Sequence, residues 1–189
     1  GFDFDANGFA VDADYLTQMD DLNKWSLYVT RKALEDAGYW GSEKLNKCGA
    51  ILGNLSFPTK SSNHLFMPLY HQTVESGLQE VLSKDFQLSN FTDHQAVHPD
   101  NALVAGYPSS LLAKAAGLGG AHFSLDAACA SSCYSVKLAS DYLHTGKADM
   151  MLAGAVCASD QLFIHMGFSI FHAYAPADKM FVPMDKNSA

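Results

Sequence analysis

Apolar residues near the start of the chain recur at helical spacing. Leu22, Trp25, Val29, Ala33 and Ala37 follow one another every three or four positions, so the pattern predicts a helix over 14–37, capped by Asp14 and ended by Gly38. The period then changes. Residues 48–55 (CGAILGNL) form a short apolar run between polar neighbours, which suits a buried strand. A second helix is predicted over 69–83, with Pro68 in its first turn, where a missing N–H costs nothing. The polar stretch from about 85 to 101, holding His94, His98 and Pro99, reads as loop. Pro108 then opens a short helix, PSSLLAKAAG, that Gly117 stops.

The pattern is most informative over 121–156. Residues 121–127 (AHFSLDA) read as a strand, and Cys129 follows at once. From 130 to 145 the set Cys133, Val136, Ala139 and Leu143 falls on one helical face, and Gly146 closes the helix. Residues 150–156 (MMLAGAV) are continuously apolar, as expected of a strand buried on both faces. Strand, sharp turn, helix and strand make a βαβ unit, which predicts a parallel sheet and an α/β fold.

A residue between a buried strand and a helix N-terminus points to a fixed place at the carboxyl edge of the sheet. The helix dipole and leading N–H groups favour negative charge there, which favours thiolate over thiol. Ala127, Ala128, Ala130, Ser131 and Ser132 are small enough for a tight turn and for a substrate to approach. Cys129 thus has the setting of a nucleophile elbow, with sulfur replacing the serine oxygen. Position alone leaves a plainer alternative, a small buried hydrophobe, which describes most cysteines.

Composition narrows the classes. The chain has 189 residues, 48% of them hydrophobic and 17% charged, too apolar for a disordered chain. A chain this long buries roughly 70% of its unfolded surface. No repeat, low-complexity tract or linker divides it, so a single domain, or part of one, is expected over 1–189. Twelve basic against twenty acidic residues give a net charge of −8, and the scattered Lys form no basic stripe, which argues against nucleic acid. No run approaches the roughly 18–20 apolar residues of a membrane span. Cys48, Cys129, Cys133 and Cys157 form neither a dense disulfide framework nor a CxxC metal pair. They are expected to be reduced thiols in a cytoplasmic protein with no metal and no cofactor.

The words around Cys129 carry more than its position does. DAACASS at 126–132 resembles the active-site motif of the β-ketoacyl synthases, the condensing enzymes of fatty-acid and polyketide assembly. Further phrases match that family in order: ALEDAGY at 33–39, GKADMMLAGAV at 146–156, MGFSIFHAYAP at 166–176 and FVPMDKNSA at 181–189. The longer stretch LDAACASSCYSVKLASDYLHTGKAD looks most like the ketosynthases of bacterial polyunsaturated fatty acid synthases. One small departure is Ala127, where many members carry Thr.

The resemblance implies a thiolase-like fold, in which two βα halves pack as α-β-α-β-α layers, with this chain corresponding to the N-terminal half. It implies that Cys129 takes an acyl chain as a thioester from an acyl carrier protein. A carbanion formed by decarboxylating malonyl-acyl carrier protein would then attack that thioester. The backbone N–H of Cys129 would supply one oxyanion donor. Phe168 falls where the family often places an aromatic residue near the acyl pocket, with plain core packing as the alternative. The family's strand before the cysteine pairs with its twin, so a homodimer is implied.

The family's two catalytic histidines lie in an HGTGT-like and an NxGH-like word, and neither occurs here. His64, His71, His94, His98, His122, His144, His165 and His172 lie outside such words, and none is carried over. These 189 residues alone are therefore expected to hold the nucleophile but not to condense, and to expose the apolar face of the nucleophile helix, promoting self-association. Five other readings compete. A coenzyme A-dependent thiolase-fold condenser fits DAACASS with ALEDAGY less well. A non-catalytic chain-length factor would lack the cysteine. A cysteine hydrolase would need a distant base, a metal site at Cys129, Cys133 and Cys157 lacks a second paired motif, and a pure interaction module would not explain the elbow.

Overall fold

The structure is a computed structural model that describes residues 3–88, 96–174 and 186. The chain divides into two compact units, 1–159 and 160–189. The first unit holds a parallel sheet with β1 (Cys48–Asn54) between β2 (His122–Leu125) and β3 (Met150–Val156). Ala50 lies opposite His122 on one side and Leu152 on the other. Chain order thus differs from sheet order: the β2–helix–β3 unit straddles β1.

β1 is buried at all seven positions. Cys48 and Ala50 project toward α2 (Asp21–Asp36) and α4 (Tyr107–Ala116), joining Leu34, Leu112, Ala113 and Ala116 in one core cluster. Gly53, out of phase with them, meets α5 (Ser131–His144) instead. Because strand side chains alternate between faces, the helices cover opposite faces of the sheet. α1 (Ala13–Thr17) and the segment before it add a second cluster of Ala6, Leu16, Met19, Leu27, Leu111 and Ala115. Gly117, left-handed at φ 72°, ends α4 as its sequence position predicts.

Four expectations about element bounds and faces need correction. The helix expected over 14–37 is two, broken at 18–20, because Asp20 leaves helical geometry to cap α2 through its carboxylate and the Leu22 N–H. The face expected to be buried is also misplaced: Trp25 and Val29 are exposed, whereas Asn23, Ser26, Leu27, Thr30 and Leu34 are buried. The helix expected from 69 begins at Lys60, so Pro68 lies inside α3 (Lys60–Val81), whose start is a capping box between Thr59 and Ser62. The loop expected from 85 to 101 holds a 3-10 turn at Pro99–Ala102, while its residues 89–95 lie outside the described residues.

Burial around the elbow differs as well. β3 has the expected bounds but is part-buried or exposed along its length, because among the described residues it pairs only with β1. α5 buries Ser131, Ser135 and Ala139 rather than Cys133, Val136 and Leu143. The two hydroxyls bond carbonyls three residues back, at Ala128 and Ser132, so small polar residues pack against the sheet without an unpaired donor.

The second unit contains α6 (Gln161–Ile170), capped by the Asp160 carboxylate through the Leu162 N–H. FVPMDKNSA lies outside the described residues except for Lys186. No helix among the described residues is long and apolar enough to cross a membrane.

Candidate active site

Parallel strands bring their carboxyl ends to one edge, and three segments leave the sheet there. β1 runs into Leu55, Ser56 and Phe57; β2 runs into Asp126, Ala127, Ala128 and Cys129; β3 runs into Cys157, Ala158 and Ser159. A bridge between Thr59 and Ser159 ties the first segment to the third. Cys157 Sγ and Ser159 Oγ are 3.2 Å apart.

Cys129 lies in a single 3-10 turn, Ala128–Ala130, wedged between β2 and α5, and its side chain is exposed. Ala130, the residue before α5, makes no side-chain cap. The Ser131 N–H at its start donates to the Ala128 carbonyl, no side-chain oxygen caps the helix, and the positive end of its dipole faces the turn. All four cysteines are free thiols, and Cys48, buried in β1, has its thiol pushed up by burial. The structure thus separates the shielded Cys48 from three exposed thiols, Cys129 and Cys157 at the carboxyl edge of the sheet and Cys133 on α5.

The turn is unusual in its backbone. Ala128 has φ 50°, a left-handed conformation costing about 1–2 kcal/mol for a residue with a Cβ. Hydrogen bonds grip its peptide units from both sides. The Ala128 N–H donates to Asp126 Oδ1 at 2.9 Å, and the Ala128 carbonyl accepts from Ser131 Oγ at 2.7 Å. Ser131 Oγ also accepts from the Ala127 N–H at 2.9 Å. The second Asp126 oxygen reaches the Ser56 N–H at 3.4 Å, a longer contact linking the turn to the β1 segment.

Packing explains why α5 can start so close. A Cβ at Gly53 would lie 2.8–2.9 Å from the backbone and Cβ of Ser131, nearer than real Cβ atoms come. Only glycine at that point of β1 lets the first turn of α5 settle on the sheet. One residue on, Asn54 is buried and donates its amide to the carbonyls of Val104 and Ala105, at 2.7 and 3.0 Å. The carboxyl end of β1 therefore fixes both the elbow and the approach to α4.

Phe168 sits on α6, 43% exposed, with its ring edge toward Tyr174 at 6.0 Å. It belongs to the second unit and Cys129 to the first. His98, His122, His144 and His165 each have a partner within their own segment. Sequence reasoning missed Asp126, Ser131 and Gly53 as parts of the site. The signal was present: an Asp and a Ser, close on either side of a Cys, are the types that bond nearby backbone in tight turns.

The model of the β-ketoacyl synthase N-terminal domain matches residues 1–186. The chain belongs to that family. It is 34% identical over 157 residues to one of the polyunsaturated fatty acid synthase proteins of a Thraustochytrium species, covering 82% of this chain and 8% of that protein. It is 29% identical over 164 residues to the chloroplastic 3-oxoacyl-[acyl-carrier-protein] synthase I of Arabidopsis thaliana, covering 82% of this chain and 30% of the relative. Among solved structures, a PfaC Keto synthase-Chain length factor superposes with a TM-score of 0.88 at 67% identity, covering 99% of this chain and 20% of that one. This ketosynthase-family chain thus spans a small part of each relative, and its strands and helices are the N-terminal half of a thiolase-like fold.

Proposed function

We propose that these residues form the acyl-accepting part of a β-ketoacyl-acyl carrier protein synthase working in polyunsaturated fatty acid or polyketide assembly. The observation that carries the reading is an exposed Cys129 on a braced turn between β2 and the N-terminus of α5, which has no side-chain cap, within DAACASS. The Cys129 thiolate attacks the carbonyl carbon of an acyl thioester on an acyl carrier protein. A new S–C bond forms at Cys129 as the carrier's S–C bond breaks, and the carrier leaves as its thiolate, which takes up the proton that Cys129 lost to solvent on becoming a thiolate. In the second step a malonyl thioester loses carbon dioxide, and the resulting carbanion attacks the acyl carbon, returning Cys129 to thiolate. The Cys129 N–H donates to the developing oxyanion.

The same reading assigns Phe168 to the acyl pocket and the whole of 1–189 to part of one ketosynthase domain. The partners are acyl and malonyl carrier proteins and a second copy of the chain, in a cytoplasmic homodimer without metal or cofactor. The free outer edge of β2 among the described residues, together with exposed Tyr134 and Val136 on α5, supports the second copy. The condensation step needs histidine words that these residues do not contain, so the 189 residues by themselves acylate without condensing.

The test is intact-protein mass after exposure to an acyl-acyl carrier protein, comparing the native protein with Cys129→Ala. One acyl adduct on the native protein and none on the variant is expected. Absence of an adduct on the native protein would overturn the reading. A second reading, a non-catalytic chain-length factor, has one observation behind it: the solved relative's name pairs such a factor with a keto synthase. It predicts no adduct, whereas an acyl thioester on Cys129 would exclude it. An adduct formed equally from acyl-coenzyme A would favour a coenzyme A-dependent condenser.

A further inference from the structure

The turn that carries Cys129 holds a left-handed alanine, and the side chain that grips that alanine's N–H is Asp126. We propose that Asp126 is a positioning residue for acyl transfer, fixing through the Ala128 amide the direction in which Cys129 leaves the turn, by shape rather than by charge. The inference rests on the acyl-transfer reading above.

Ala128 immediately precedes Cys129, so the rotation of its peptide units sets where the Cys129 Cα–Cβ bond points. A left-handed φ at a residue with a Cβ persists only where its surroundings over-determine it. Here the Ala128 N–H is held by Asp126 at 2.9 Å and its carbonyl by Ser131 at 2.7 Å. Ser131 is in turn buried against Gly53, so one side of the grip is anchored in the core. Asp126 supplies the other side, and its second oxygen leans on the Ser56 N–H of the neighbouring segment at 3.4 Å.

Geometry separates shape from charge. What holds the turn is a hydrogen bond from the Ala128 N–H to one carboxylate oxygen at 2.9 Å, so the place calls for an acceptor atom at that distance and not for a charge. An asparagine offers that oxygen in the same place without the charge. A glutamate keeps the charge but carries it one methylene farther out. Displacements of about 1 Å at a reacting group cost up to about a hundredfold in rate.

The experiment compares Asp126→Asn and Asp126→Glu with the native full-length protein. It reads the single-turnover rate of acylation from an acyl-acyl carrier protein, with the concentration dependence separating rate from binding. Asp126→Asn is expected within about threefold of native, and Asp126→Glu about tenfold slower or more at unchanged half-saturating carrier concentration. A native-like Asp126→Glu overturns the proposal, and so does an Asp126→Asn as slow as the glutamate variant. Alkylation of Cys129 by iodoacetamide, followed by peptide mass, repeats the comparison without any acyl donor. If native protein accepts no acyl group, the acyl-transfer reading fails by itself; the alkylation order, native and asparagine ahead of glutamate, still decides whether Asp126 aims the thiol.

Discussion

β1 and β3 are both seven residues long, both rich in small and aliphatic side chains, and paired to each other along their whole length. Yet β1 is buried throughout and β3 is part-buried or exposed throughout. CGAILGN and MMLAGAV differ little in apolar character. The difference lies in sheet position: β1 has a strand on each side and a helix on each face, while β3 has one strand neighbour among the described residues. Apolar runs therefore report that a strand belongs to a parallel sheet, not how deep it lies. Function follows the same divide, because the buried strand carries Gly53 and Asn54, which set the elbow and its surroundings.

The comparison can be broken most severely at the bulkiest fully buried side chain of β1. Ile51 is 1% exposed, and Ile51→Ala is expected to cost about 2–5 kcal/mol of stability in denaturant unfolding. Its register partner on β3, Ala153, is exposed, and Ala153→Ser should stay within about 0.5 kcal/mol, as surface changes do. An equal loss at both sites would contradict the contrast.

Glycines give a matched pair with a functional readout. Gly53→Ala drives a Cβ into Ser131 and is expected to cost about 1–3 kcal/mol, as overpacking does, with strongly reduced acylation of Cys129. Gly154, opposite Leu52 on β3, has nothing within 4 Å of the equivalent Cβ. Gly154→Ala should be neutral or stabilising by up to about 1 kcal/mol, with acylation intact. Thermal unfolding and acyl uptake of the pair read both halves of the claim.

A smaller effect separates the strands by pH. Burial raises the Cys48 thiol above its ordinary value of 9.0. The native state then keeps the proton that the unfolded state releases, so stability is full below about pH 9 and falls as pH rises beyond it. Cys48→Ala should flatten that part of the stability curve. Tyr15 adds to the slope from about pH 10: burial, and hydrogen bonds with Asp100 and Tyr107, hold its phenol well above the ordinary value of 10.0. The smallest expected change is Ala155→Lys on exposed β3, within about 0.5 kcal/mol in stability but lowering self-association in sedimentation, because a charge blunts an open strand edge.

Some features were legible because their causes are local. Gly117 ends α4, Gly146 follows α5, and the change of period at Cys48 marks β1, each through backbone preference or side-chain alternation. The break between α1 and α2 was not legible, since its cause is distant. The Asp20 N–H donates to Asn101 Oδ1 at 2.6 Å, and Asp20 Oδ2 accepts from the Ser61 N–H at 3.2 Å. Those partners lie 81 and 41 positions away. Likewise the inward stripe of α5 is Ser131, Ser135 and Ala139, because a helix seated against glycine needs small residues there more than large apolar ones.

The sequence by itself determined the family, the βαβ order around the elbow, and Cys129 as the residue at its tip, because motif words, strand period and helix stops are written in neighbouring residues. Only the tertiary structure decided that β1 lies between β2 and β3, that Gly53 admits Ser131, and that Asp126 and Ser131 hold a left-handed Ala128 just before Cys129. Strand order and backbone strain depend on contacts between distant parts of the chain, and neither leaves a period in the sequence.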